Sequence, residues 1–409
     1  MYRFLKGMRI VEAASFIAAP SCGLHLLQLG AEVVRIDQIG GGPDFFRWPR
    51  TAGASLYWEG LNKGKKSIAV DLGSPQGREL VTGLITAPGR DRGLFLTNFP
   101  AAGFLSYERL KARREDLIVL RVMGRPDGTP AVDYTINSAI GIPQMTGPAS
   151  LGDEPVNHVL PAWDLLAGAY GAFTLLAAER HRRDTGQGQE IRVPLSDVAM
   201  ASLGHLGQIA ETALSGADRP RHGNDLFGAF GRDFSTRDGK RIMIVAITRR
   251  QWSGLIEVLG IGEAVGRAEQ AAGVSFARDE GVRFEHRETL NPLVAAAIAG
   301  RDCGELAAAL DAAGACWGPY RTLSQALSDD PDLSEKNPVF ATVKHPSGSA
   351  YLTPGAAASF SGMERDVPGR SPMLGEHTDE VLADLLGLSE AEIGALHDRK
   401  IVAGPGKQA

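Results

Sequence analysis

The sequence predicts an α/β protein: a large, Rossmann-like, doubly wound domain built from both chain ends, with a smaller α+β domain in the middle. Three observations carry this expectation. Short apolar runs recur at 8–13 (MRIVEA), 31–37 (AEVVRID), 66–72 (KSIAVDL), 93–98 (GLFLTN) and 117–122 (LIVLRV). They are nearly continuous rather than alternating, as strands buried on both faces are. Segments with helical character at 20–29, 74–85 and 106–116 separate them, and such alternation favours a parallel sheet with crossover helices. The rhythm then breaks at 216–233 (GADRPRHGNDLFGAFGRD), a glycine-rich polar stretch expected to be irregular, before a new strand at 238–247 (DGKRIMIVAI).

In chain order, 8–13, 20–29 and 31–37 make the first strand–helix–strand unit. Ser74 and Pro75 open the helix after 66–72 as N-cap and first helical residue. The segment 106–116 (SYERLKARRED) reads as the helix before 117–122. A long helix follows HVLPAWDLLAG (158–168), with Asp164 as its N-cap and basic residues at its far end. Residues 185–197 read as a turn and strand, followed by a helix to about 214. The tail, LGEHTDEVLADLLGLSEAEIGALHDRKI, reads as two helices. These readings give 1–200 as the first part of the large domain, 201–224 as linker, 225–325 as the small domain, and 326–409 as a linker and return to the large domain. Ligands of such sheets lie beyond the carboxyl ends of the strands, the edge left by 37–50, 98–103 and 123–133.

Composition narrows the function. The chain has 409 residues, a net charge of −5 and no long single-sign run, so a nucleic-acid surface is not expected. NKGKKS (62–67) and RHRR (180–183) read as solvated turns or helix ends. Three cysteines without CxxC spacing fit a reducing, cytoplasmic setting. No signal-peptide core or run of about 18 apolar residues is present, so no membrane span is expected. GLNKGKKS (60–67) lacks P-loop spacing and runs into a strand instead of opening a helix. The nine histidines are dispersed, without HExxH, so no metal is expected; without GxSxG there is no serine elbow. Chemistry must rest on carboxylates, backbone amides or a bound group. Asp164 and Asp133 (in AVDYTINSA) are the acids in the most apolar surroundings, and each could instead simply cap a helix.

Seven segments in order resemble the family III CoA-transferases, which include formyl-CoA and carnitine CoA-transferases and α-methylacyl-CoA racemases. They are AAPSCGLHLLQLGAEVVRID (18–37), LNKGKKSIAVDLGSPQGREL (61–80), TNFPAAGFL (97–105), AVDYTINSAIG (131–141), LPAWDLLAG (160–168), ERHRRDTGQGQEIRV (179–193) and LGEHTDEVL (374–382). The resemblance implies that Asp164 is a covalent nucleophile, passing through an acyl anhydride and an aspartyl-CoA thioester. It implies an acyl-CoA substrate and no separate cofactor, with Phe16, Ala18, Gln38, Val70, Asn98 and Phe99 around CoA and Asp133 beside the nucleophile. Gln38 stands where a family member carries arginine, which leaves Lys63 or Lys65 as substitute phosphate contacts or as ordinary surface charge. The resemblance also implies a ring-shaped subunit and an interlocked homodimer.

Racemases of the family resemble one another in a His-Asp pair where this chain has Val132–Asp133; valine takes no proton, which disfavours racemisation. WEGLNKGKKSIAVD, VNHVLPAWD and RPRHGNDLFGAFGRDF look most like members that move CoA between the two carboxyls of one C5 dicarboxylate. Arg47, in DFFRWPR, is then the candidate cation for the free carboxylate or an exposed loop arginine, and 223–231 (GNDLFGAFG) the candidate lid over the thioester or a plain linker. The alternatives are an intermolecular transferase using succinyl-CoA and a second acid, a racemase, and a catalytically dead CoA-binding scaffold.

Overall fold

The structure, a computed structural model, describes residues 1–100 and 102–405. Ala101 and residues 406–409, which fall within the 97–105 motif and the C-terminal return, lie outside the described residues. The chain divides into two compact units. One comprises Met1–Ile140, Val159–Glu211 and Asp330–Ala409; the other comprises Gly141–His158 and Thr212–Asp329.

Along the chain come β1 (Arg9–Ala13), α1 (Ala18–Gln28), β2 (Glu32–Gln38), β3 (Arg50–Thr51), β4 (Ala54–Ser55), α2 (Leu56–Asn62), β5 (Lys66–Val70), α3 (Pro75–Ile85), β6 (Leu94–Thr97), α4 (Tyr107–Lys111), β7 (Ile118–Met123) and α5 (Asp133–Ala139). After α6 (Ile142–Met145) come α7 (Ala162–Thr185), β8 (Glu190–Pro194), α8 (Leu195–His205) and α9 (Gln208–Ser215). The first unit holds a seven-stranded sheet of order β14-β5-β2-β1-β6-β7-β8, where β14 is Val402–Ala403. All pairings are parallel except that of β14 with β5. The order reverses between β1 and β6, so the loops after these strands flank the crevice where such sheets bind ligands.

Both sheet faces are covered, which is why the strands read as unbroken apolar runs. Ile10, Val33, Leu96 and Leu120 pack with Leu26 of α1 and Ala167 and Leu175 of α7. Their neighbours Val11, Val34, Phe95 and Val119 face the other way, with Val81 and Leu84 of α3 and Leu382, Leu385 and Leu396 near the C terminus. Ser74 caps α3 as expected, accepting from the Gly77 N–H at 2.9 Å. Helices α1 and α7 meet closely because α7 carries glycine at the contact: a Cβ on Gly168 would fall 2.0 Å from Ser21 Oγ.

The second unit is built by itself on an antiparallel sheet of β9 (Phe230–Ser235), β10 (Arg241–Ala246) and β11 (Cys316–Pro319), in the order β11-β10-β9. It includes α10 (Arg249–Leu259), α11 (Gly262–Ala272), α12 (Glu280–Glu285), α13 (Arg287–Ala299), α14 (Cys303–Ala312) and α15 (Leu323–Asp329). Phe230, Ile244, Trp252, Leu290 and Leu306 form its core. The chain then returns to the first unit through β12 (Phe340–Lys344), β13 (Ala350–Pro354), α16 (Thr378–Leu386) and α17 (Glu390–Asp398).

Four readings change. Residues 141–158 group with the second unit, not with the large domain. The expected linker 201–224 is helical over much of its first half, in α8 and α9. The last residues of 216–233 form β9, where Phe230 and Phe234 fill the second core, and apolar packing overrides the glycine-rich composition. The helix expected over 106–116 is only the five-residue α4. The candidate lid at 223–231 lies in the second unit, where Leu226 N–H bonds Gly231 O and the Asp225 carboxylate is held by Arg232 and Asn291. No helix among the described residues is long and apolar enough to cross a membrane.

Candidate active site

The carboxyl edge of the first unit's sheet opens into a cavity of about 540 Å³. Four loops converge there. Phe16, Ile17 and Ala18 follow β1, Asn98 follows β6, Met123 and Gly124 lead out of β7, and Arg47 lies on the loop after β2. Tyr57 of α2, Val132, Asp133 and Tyr134 around α5, and Asp164 of α7 complete the wall.

Local chemistry explains each placement. Asn98 ties the two loops at the strand-order reversal: its Oδ1 accepts from Ser15 N–H at 3.0 Å and its Nδ2 donates to Ser15 O at 2.8 Å. The next residue, Phe16, has φ of +69°, a conformation costly for a side chain this bulky and found where surrounding structure imposes it. Gly124 lets the following loop fold back over the end of β7, since a Cβ there would meet Ala131 N at 2.4 Å. That return delivers Asp133 to the start of α7.

Asp164 is not the N-cap. Helix α7 begins at Ala162, so Asp164 is the third helical residue, and the preceding Pro161 has no side chain able to cap. Asp133 takes that role from across the fold: its Oδ2 accepts from Trp163 N–H at 2.7 Å and from Asp164 N–H at 3.2 Å. Trp163 Nε1 also donates to Asn137 Oδ1, fixing α5 to α7. The Asp164 carboxyl therefore needs no local duty, and among the described residues it makes no hydrogen bond or ion pair.

Its protonation follows from that environment. Burial, then the adjacent Asp133 charge, push Asp164 up from 3.8 to about 7, against the pull of Arg47. A helix N-terminus favours the ionised form; here desolvation and carboxylate repulsion outweigh it.

Arg47 is the opposing charge. Its guanidinium carbon lies 5.3 Å from the centre of the Phe16 ring and 5.4 Å from that of Tyr57, within cation–π range of both. It has no ion pair among the described residues. Its loop is anchored at Asp44, three residues earlier, by a buried network. Arg35, wholly buried on β2, donates to both oxygens of Asp44, to Asp37 and to Asn62. Lys65 Nζ reaches both Glu12 oxygens at 2.8 and 2.9 Å, Asn62 Oδ1 and Pro20 O.

This network corrects the reading of 62–67 as a solvated turn. Lys63 and Lys65 are 6% and 2% exposed. Lys65 is saturated by internal partners, Lys63 donates to Gly60 O at 2.7 Å, and burial lowers Lys63 to about 8. Neither is ordinary surface charge.

Six of the nine residues singled out from the sequence, Phe16, Ala18, Arg47, Asn98, Asp133 and Asp164, line this one cavity. A neighbouring cavity of about 290 Å³ is lined by Phe16 and Asn98 again, together with Gln38 and Phe99. Gln38 Oε1 there accepts from Leu72 N–H at 3.0 Å, while Phe99 O accepts from Arg121 Nη1 at 2.8 Å. Val70 lines neither cavity; it is fully buried in β5 opposite Gln38. Tyr57 went unnoticed in the sequence, because SLYWEGLN gives no sign that its tyrosine faces a cavity while its tryptophan fills the core.

The chain's similarities identify its family. The family model described as CoA-transferase family III matches residues 5–378. The chain belongs to CoA-transferase family III. It is thus an enzyme acting on CoA thioesters. Across the full length of both proteins it is 50% identical to a Chloroflexus aurantiacus protein named 2-methylfumaryl-CoA isomerase. A second C. aurantiacus relative, succinyl-CoA–D-citramalate CoA-transferase, is 30% identical over 98% of each chain. A crystal structure of a CAIB/BAIF family protein from Brucella suis superposes with a TM-score of 0.75 at 26% identity, covering 94% of this chain and all of that one. This likeness accords with the α/β fold of the family III transferases.

Proposed function

We propose that this enzyme moves CoA between the 1- and 4-carboxyls of 2-methylfumarate (mesaconate) within one bound substrate. The observation that carries the reading is the meeting, in one cavity, of a carboxyl that has no hydrogen-bond partner among the described residues, Asp164, with a guanidinium that has no ion pair among them, Arg47. The name of the half-identical relative, 2-methylfumaryl-CoA isomerase, supports the choice of substrate.

In the proposed sequence, an Asp164 carboxylate oxygen attacks the thioester carbonyl carbon. The C–S bond breaks, giving a mixed anhydride and CoA thiolate. The thiolate attacks the Asp164 carbonyl carbon, releasing mesaconate and leaving an aspartyl-CoA thioester. The other mesaconate carboxylate then attacks that thioester, forming the second anhydride and again freeing the thiolate. Thiolate attack on the new acyl carbon yields the 4-thioester and returns Asp164. Every step exchanges acyl oxygen for sulfur and needs no external proton, so the side chains required are a nucleophile, an anchor for the spectator carboxylate and an apolar wall against water. Arg47 fits the anchor because a guanidinium binds carboxylate bidentately. The uncapped first turn of α1, at Ala18, offers amide N–H groups toward developing negative charge.

We also take the working form to be a homodimer. Leu166, Tyr170, Phe173, Met200 and Leu206 of the α7–α8 region are each more than a third exposed, and clustered apolar surface of this kind is usually covered.

The test is incubation of the pure enzyme with mesaconyl-1-CoA alone, following the thioester isomers by chromatography. Conversion to the 4-isomer without added acid is expected. Conversion only after a free acid is supplied would assign the enzyme instead to intermolecular transfer, the activity named for the 30% relative.

A further inference from the structure

A second group in the cavity wall lacks a partner. The Tyr57 hydroxyl is shielded from solvent and makes no hydrogen bond among the described residues. Buried hydroxyls are nearly always paired, and one left unpaired carries its full desolvation cost. An orphan donor in the lining of a ligand cavity therefore points to a contact completed by the ligand. Tyr57 lies beside the other unpaired donor: the Arg47 guanidinium stacks on its ring at 5.4 Å. Its helix is firmly placed. Ser55 Oγ caps α2 by accepting from Trp58 N–H, and Glu59 accepts from Ser347 N–H and Tyr351 Oη. Tyr57 is thereby presented by a rigid element rather than a mobile loop.

We infer that Tyr57 and Arg47 form a two-point clasp for the carboxylate that is not esterified to CoA, with the Tyr57 hydroxyl donating beside the guanidinium. This rests on the dicarboxylate reading above and adds the residue that makes it selective. A carboxylate has acceptor sites for both donors. An acyl chain ending in methyl would leave the shielded Tyr57 hydroxyl unmet, and sites built around such donors reject the analogue that lacks the acceptor. A phenol adds this discrimination without a second positive charge, which would draw Asp164 toward its ordinary acidity.

The test uses two unreactive CoA thioethers on the whole enzyme, one with a C5 chain ending in carboxylate and its methyl-ended twin, with affinity read by calorimetry. Wild type should favour the carboxylate form. Tyr57→Phe should weaken that form by about tenfold or more while leaving the methyl-ended twin unchanged. Full retention of the preference in Tyr57→Phe would overturn the role of Tyr57. No preference in the wild type would remove the dicarboxylate reading itself, and the clasp with it. Because the hydroxyl has no partner in the free protein, Tyr57→Phe should not lower the unfolding midpoint. A marked fall would assign the hydroxyl a structural partner and also overturn the proposal.

Discussion

Two groups of charge lie within the first unit, one fully buried and one on the cavity wall, and they are built in opposite ways. In the network of Glu12, Arg35, Asp37, Asp44 and Lys65, every cation is surrounded by acceptors at 2.8–3.1 Å. In the cavity, Asp164 and Arg47 have no such partners among the described residues, and Asp133 is turned to the backbone of α7. Burial alone does not mark a reactive carboxyl. Glu12 is more deeply buried than Asp164, yet Lys65 holds both its oxygens and Arg35 stands 3.6 Å away. Pairing makes the first group a structural clamp; the lack of it leaves the second available for chemistry.

The largest effect should come from removing the available acid. Asp164→Asn keeps the shape and should cut CoA transfer by about 10⁴-fold or more, measured as isomer interconversion. Residual transfer near the wild-type rate would mean that the unpartnered carboxyl is incidental.

Next comes a contrast between two arginines. Arg35→Met leaves Asp44 and Asp37 buried without their cation and should cost about 3–5 kcal/mol. A urea titration followed by tryptophan fluorescence reports on this site, since Trp58 lies 5.8 Å from Arg35. Arg47→Met breaks no ion pair and should change stability by less than about 1 kcal/mol. Its effect should fall on substrate, raising KM for the dicarboxylate thioester about 10–100-fold. Equal destabilisation by both variants would erase the distinction.

The same comparison predicts a pH-dependent gain in stability. A folded-state value raised from 3.8 to about 7 means that the folded protein favours protonated Asp164. The stabilisation is whole below the ordinary carboxyl value, shrinks as pH rises, and is gone above about 7. Asp164→Asn does not titrate, so its advantage over wild type should grow from about pH 4 to 7 and then level off, at no more than about 4 kcal/mol. Denaturant titrations at pH 5 and 8 check this.

The smallest effect concerns Asp133. Its charge raises Asp164, while its oxygen caps α7. Asp133→Asn keeps an acceptor for the Trp163 and Asp164 N–H groups but removes the charge. The wild-type rate should rise with pH through about 7, as Asp164 ionises, and in Asp133→Asn that limb should move to lower pH. A limb that stays in place would separate Asp133 from the titration.

Much of this was legible in the sequence. Parallel strands covered on both faces leave long apolar runs, and Ser74–Pro75 announces the start of a helix by its own chemistry. Asp164 stood out through its apolar context and its motif. The sequence could not tell paired from unpaired charge. Lys65 looks like surface until its acceptors from β1 and α2 are placed around it. The cap of α7 comes from Asp133, 31 residues before Asp164, so a local reading gave that cap to Asp164 itself. Tyr57 and Trp58 are adjacent, and only the packing of α2 sends one to the cavity and the other to the core. Residues 141–158 carry no compositional sign that they belong with chain more than 50 residues downstream.

The most direct test of the central claim, that the unpartnered Asp164 is the covalent nucleophile, is to trap the intermediate. Wild-type enzyme is mixed with mesaconyl-1-CoA, quenched in acid and mapped by peptide mass spectrometry. The account predicts CoA in thioester linkage to Asp164, absent in Asp164→Asn. Turnover with no adduct at Asp164, or with CoA on another carboxyl, would contradict it.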